Sequence, residues 1–538
     1  MKNNNVKRRD FMKLLASGGA ATALSSVGQL AVMSEAAAAA PGFSGYKALV
    51  CVFFLGGNDG FNMLIPKDAT HADYQAIRAA LAVQKNDLGL SSISDAMHNG
   101  TMGTGAANPY NVNQTQAKAY TKGYYDLSSK GINLGVNGVM PEFAQLIHDD
   151  KLSVIANCGN MVAPVTRQEI KDGTAKLALK LPIFLFAHNH QQRELQTGEA
   201  HRISALGWAG KIADAWEGVN NNSPIGLNIS YSGNNRMLMG DKTSPLVLKP
   251  GKPISFRDMR PNTDNYNLER RALFQKLIEI GKRASNFERL EASLLDRSQT
   301  NFEALETAWD NNTISYTSTG PYGEPLFDVP PPAMLGFNDK LSGAFIKRMN
   351  TVAKMVDMGA KDAFQTGDYK RQIFFVGVGG FDTHANQANS HSKLLRELSL
   401  GLWKFQKAMD ELGHAEKVTT FSMSDFGRTL SINAGLGTDH AWGSNHFVMG
   451  GAGHKTSGTL NGGQMFGTYP DLTPDGPDDY SDKGRMIPTT SQDQINASIC
   501  EWFGVEQSLI SEIFPNLANF ETTLGDTKSA YLTDLFVS

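Results

Sequence analysis

The chain has 538 residues, 41% apolar and 19% charged, with a formal net charge of −3 at pH 7. That composition is globular and excludes general disorder, and its slight acidity excludes a nucleic-acid binder, which carries a basic stripe. Three Cys exclude a disulfide scaffold, and no apolar run of about eighteen or more follows the N-terminus, so nothing in the body spans a membrane.

The chain opens MKNNNVKRRDFMK, continues through a weakly apolar stretch and reaches SEAAAAA. Arg8 and Arg9, followed by Asp10, Phe11, Met12 and Lys13, predict a twin-arginine export signal over 1–40, with Lys7 where Ser or Thr is usual. Gly18, Gly19, Ser25, Ser26, Gly28 and Gln29 make its middle too polar for a stable span. Cleavage is expected within Ala36–Ala40. The segment carries a net +3, so the mature chain carries −6. The export machinery is then a partner, and the mature protein is periplasmic or secreted. Cys51, Cys158 and Cys500 sit in apolar surroundings and are expected to be buried.

Along the mature chain, 46–55 (YKALVCVFFL) predicts a strand buried on both faces. Residues 84–130, rich in Asn, Gly, Ser and Thr, predict an irregular excursion. A helix is expected over 140–150, then strands over 151–158, 181–187 and 224–230. Residues 235–345 are expected to be a helical insertion within one domain spanning 41–538. The polar stretch 262–312 has a helical period, and a Gly/Pro-rich loop follows it. A strand over 371–378, a long helix over 392–413 and strands over 417–424 and 445–451 complete the pattern. Alternating strands and helices predict an α/β fold with a doubly wound, mostly parallel sheet.

Ligands of open parallel sheets bind outside the carboxyl ends of the strands. After 46–55 come Asn58, Asp59 and Asn62; after 181–187, His188 and His190. After 371–378 come Asp382, His384, Asn386, Gln387 and His391; after 417–424, Asp425 and Arg428. Asp439, His440 and His446 fall just before or at the start of 445–451. Asp and His gathered at one rim form the ligand set of Zn, Mn or a similar divalent ion. Each also has a purely structural reading: a turn at GGNDG, an N-cap at Asp382, a loop ion pair at Asp439 and His440. His188 and His190 have ligand spacing for a strand end, though loop His are common. GVGGFD and GGAG lack the glycine spacing of a dinucleotide site.

GGNDGFN, GFDTHANQ (380–387), SDFGRT (424–429), GTDHAWGSNHFVMGG (437–451) and the stretch from IPTTSQDQINASICEWFGV to IFPNLANF (487–520) together resemble the bacterial "domain of unknown function 1501" family. AHNHQQRELQTG (187–198) resembles its central motif. That family is similar in fold to the alkaline phosphatase, sulfatase and phosphoglycerate mutase superfamily. The resemblance implies a metal site drawn from Asp59, Asp382, His384, Asp425 and His440, with Arg428 holding a phosphate or sulfate. It departs from the superfamily pattern at Asn386 and Phe426, where His is expected. The metal would be Zn, Mn or Ca. A hydroxyl nucleophile would fall to Thr166, whose structural reading is an N-cap; otherwise water would attack. The expected activity is metal-dependent hydrolysis of small phosphate or sulfate esters; the alternative is a binding or assembly protein on a degenerate phosphatase-like sheet.

Overall fold

A computed structural model describes residues 42–89, 115–220, 223, 225–254, 265–335, 339–364, 366–367, 369–451 and 459–537. The expected export signal and the middle of the 84–130 excursion lie outside the described residues. The strands are β1 (Lys47–Phe54), β2 (Leu64–Pro66), β3 (Tyr124–Asp126), β4 (Leu134–Asn137), β5 (Leu152–Gly159) and β6 (Asn228–Ser230). They continue as β7 (Leu246–Val247), β8 (Arg371–Val378), β9 (Val418–Ser424), β10 (Ser444–Gly450), β11 (Met465–Phe466) and β12 (Thr490–Ser491).

The central sheet runs β11-β5-β10-β9-β1-β8-β6-β7, with β12 also on β5. β1 pairs in parallel with β8 on one side and β9 on the other. Side chains alternate across a strand, and β1 splits its apolar run between two cores. Ala48, Val50, Val52 and Phe54 meet Phe345 and Met349 of the Ala344–Ala360 helix and Leu398 and Leu402 of the Gln387–Glu411 helix. Leu49, Cys51 and Phe53 meet Trp208 and Ile212 of one helix and Ile495 and Phe503 of another. The protein is a mixed α/β fold on a mostly parallel sheet, with helices on both faces. The three Cys are free and buried, as expected.

One expected strand is corrected. Residues 181–187 form turns rather than a strand, because Pro182 donates no hydrogen bond and Phe184 and Phe186 take φ of 56° and 71°. β10 is antiparallel to both β9 and β5. Its N-terminal end therefore lies at the same rim as the carboxyl ends of β1, β8 and β9. That reversal brings Asp439 and His440, which precede β10, to the rim. In the excursion, a helix at Gln116–Thr121 leads to β3, and β2-β4-β3 make a small antiparallel sheet. Within 235–345, β7 pairs with β6 at the edge of the central sheet. The polar helical stretch becomes two helices, Asn265–Lys282 and Asn286–Asn311, and the second packs on the core through Phe302, Leu305, Ala308 and Trp309.

Candidate metal centre

Four loops supply the rim. β8 ends in GGFDTH and delivers Asp382 and His384; β9 ends in SDFGR and delivers Asp425 and Arg428. The approach to β10 delivers Asp439 and His440, and the turns over 181–187 run into a helix at His188–Thr197 that starts with His188. Glycine lets these loops close up. A Cβ on Gly56, at φ +114°, would lie 2.3 Å from the Asp382 nitrogen, and one on Gly437 would lie 2.3 Å from the Thr383 carbonyl oxygen.

His188, Asp382 and His440 offer ligand atoms that all lie within 4.8 Å of one another. His188 Nε2 is 3.6 Å and His440 Nε2 3.4 Å from Asp382 Oδ1. His384 Nε2 lies 3.0 Å from the same oxygen and 3.0 Å from His440 Nε2. Ligands on a tetrahedral ion at ordinary zinc distances are about 3.4 Å apart.

The outer nitrogens decide what the inner ones can do. His440 Nδ1 is 2.8 Å from the Phe186 carbonyl oxygen, an acceptor only, so Nδ1 carries the proton. His188 Nδ1 is 2.7 Å from Asp425 Oδ2, a carboxylate that imposes the same tautomer; His384 stands between two carboxylates, its Nδ1 3.1 Å from Asp439 Oδ1 and its Nε2 3.0 Å from Asp382 Oδ1. The Nε2 lone pairs of His188 and His440 therefore lie beside the Asp382 carboxylate, and His384 Nε2 stands 3.0 Å from both Asp382 Oδ1 and His440 Nε2. The spacing of His188, Asp382 and His440 suits a bound cation. The donors fit Zn or Mn, which accept imidazole with carboxylate, better than Ca, which takes oxygens. Imidazoles held from behind by carboxylates or carbonyls are the usual surroundings of a metal ligand.

The charges agree with this. The hydrogen bond to Asp425 raises the pKa of His188, and whatever favours a proton at Nε2 also favours a metal ion there. Burial lowers that of His440, against the pull of the Phe186 carbonyl. Burial pushes Asp382 up, but the Arg428 guanidinium and the imidazoles of His384 and His188 outweigh it and hold Asp382 below the usual carboxylate range.

Of the sequence-derived set, the structure brings Asp382, His384 and His440 together. It places the others elsewhere. Asp425 is fully buried behind His188; its Oδ2 also accepts from Gly56 N and Gln192 Nε2, each at 2.9 Å. Arg428 is fully enclosed, its Nη1 donating to Asp382 Oδ1 at 3.0 Å, so it orients Asp382 instead of facing solvent. Asp59 is buried below the rim, paired with Arg78 at 2.5 and 2.9 Å and accepting from Gln387 Nε2 at 2.5 Å. Thr166 is exposed and caps a short helix, exchanging hydrogen bonds with Glu169 in a capping box. Asn386 takes the left-handed conformation at a helix start. Sequence reasoning left His188 out of the ligand set and Asp439 without a role. The signal for His188 was its HxH spacing, misread as a strand end.

Residues 362–482 match the family model described as "Protein of unknown function (DUF1501)". This supports the DUF1501 family. The DUF1501 segment holds Asp382, His384, Asp425, Arg428, Asp439 and His440, whereas His188 reaches the cluster from outside it. Comparison with curated proteins gives no match.

Proposed function

We propose that the rim cluster binds one Zn or Mn ion through His188, His440 and Asp382, with His384 at its edge, and that the protein is a metal-dependent hydrolase of phosphate or sulfate esters. The convergence of His188 Nε2, His440 Nε2 and Asp382 Oδ1, with His384 Nε2 3.0 Å from the last two, carries this reading. A mostly parallel sheet with its cluster outside the carboxyl ends supports an alkaline phosphatase-like, doubly wound architecture. The basic start of the chain supports twin-arginine export to the periplasm or beyond.

A bound divalent ion supplies Lewis acidity and positive charge to an ester's oxygens. The chain's own residues set the stage. Asp425, Asp439 and the Phe186 carbonyl fix the three rings; Arg428 fixes Asp382. Phe426, whose ring lies 4.7 Å from that of His188 and 4.5 Å from that of His440, shields one side from water. Thr166, committed to its cap, favours water over a side-chain hydroxyl as the attacking group. The same observation favours the second reading, a binding protein on a phosphatase-like sheet.

Metal analysis of the purified protein, alongside His188→Ala, His440→Ala and Asp382→Asn, tests the centre. One ion per chain, lost in the variants, is expected; stoichiometric metal surviving all three overturns the ligand set. Aryl phosphates, diesters and sulfates assayed with Zn or Mn test the chemistry. Turnover abolished by Asp382→Asn is expected, and a fully loaded protein that turns over none of them leaves the binding reading.

A further inference from the structure

The segment that ends at His188 has two opposite faces. Leu181, Leu185 and Phe186 pack inward on Met161, Trp442 and Ile487. Leu177, Leu179 and Phe184 point outward and are 84%, 78% and 58% exposed. Large apolar side chains so exposed within eight residues mark an interaction site. The backbone is held in this shape against its preference: Leu179, Phe184 and Phe186 all have φ between 54° and 71°, a region bulky residues avoid.

The surroundings are mildly basic. Residues 171–190 carry three Lys and one Asp, with Lys180 paired to Glu169 at 2.5 Å and Lys171 3.9 Å from Asp475, so the local excess of positive charge centres on Lys176. Lys171 and Lys176 are exposed beside the apolar tips. Three apolar side chains fall far short of the roughly 800 Å² per partner that a stable protein interface buries. They suit a bilayer, where a few inserted apolar groups and adjacent cations give reversible binding to anionic headgroups. The segment is continuous with the rim, since the Phe186 carbonyl holds His440 at 2.8 Å and His188 follows two residues later.

We propose that residues 174–187 are a docking prong for an anionic lipid bilayer, which seats the mouth of the rim cluster at the membrane surface. The inference does not depend on hydrolysis. Leu177, Leu179 and Phe184 enter the headgroup region while Lys171 and Lys176 meet lipid phosphates.

Co-sedimentation of the full chain with vesicles of phosphatidylethanolamine and phosphatidylglycerol, against vesicles of phosphatidylcholine, tests it. Leu177→Ser with Leu179→Asn removes the tips and gives the left-handed position a residue that tolerates it. This double variant should partition about tenfold less, or weaker still, on the anionic vesicles. Lys171→Glu with Lys176→Glu should weaken binding at low salt and converge with wild type at high salt. Both should keep wild-type metal content, which separates lost docking from lost folding. Equal partitioning of wild type and the leucine variant overturns the proposal, as does equal binding to phosphatidylcholine. Self-association of wild type that the leucine variant loses, without vesicle binding, overturns it in favour of a second copy of the chain.

Discussion

Two polar regions built from the same residue types lie one above the other at the end of β1. In the lower one Asp59, Arg78, Gln387, His391, Tyr120 and Asn58 are buried, and the ring nitrogens of His391 both have complementary partners. His391 Nε2 donates to Asn58 Oδ1 and Nδ1 accepts from the Tyr120 hydroxyl, each at 2.8 Å. In the upper one the outer nitrogens of His188, His384 and His440 are held from behind, and their Nε2 atoms are turned toward Asp382 and one another. A histidine that closes its own hydrogen bonds serves the fold; histidines that present lone pairs to one point leave a valence for a ligand.

Breaking the lower region should cost the most stability. Asp59→Ala strands the buried Arg78 charge and should destabilise the protein by about 3–5 kcal/mol. Chemical denaturation reads the loss, and the folded fraction should keep its metal. Loss of metal without loss of stability would move Asp59 into the upper region.

Acid should act next on the same network. Burial pushes His391 down to about 4, against an ordinary value near 6.5. The unfolded chain therefore takes the proton first, so stability is full above about pH 6.5 and falls as pH drops toward 4, by roughly 3 kcal/mol for this group. His446, likewise pushed down to about 4 by burial, adds to the slope. Melting temperature against pH should show the decline, and His391→Gln should flatten it in part.

The upper region is sharpened by its supports. Asp425→Asn and Asp439→Asn free the rings of His188 and His384, and should weaken metal binding by about 10- to 100-fold. Competition with a chelator measures this. Thr166→Ala should have the smallest effect, about 1 kcal/mol of stability from the lost cap, with metal content and any turnover unchanged. A collapse of turnover would make Thr166 the nucleophile after all.

Much of the rim was legible because apolar runs and the groups after them obey local rules. β1 and β8 sit within their runs to within a residue or two, and Asp382 and His384 follow β8 as strand-end ligands should. Other features depend on tertiary context. The direction of β10 has no local signature, yet it alone puts His440 at the rim. Asp59 looks like a rim carboxylate until Arg78, nineteen residues on, folds back onto it. Residues 181–187 have the composition of a strand, but packing on Trp442 and the adjoining core holds them in turns. His188 was thereby read at the end of a strand when it opens a helix.

X-ray absorption at the metal edge of the Zn-loaded full chain tests the central claim most directly. The account predicts one ion per chain with nitrogen and oxygen neighbours at about 2.0–2.1 Å and imidazole scattering that drops in His188→Ala and in His440→Ala. Oxygen-only coordination, or imidazole scattering untouched by either substitution, would contradict it.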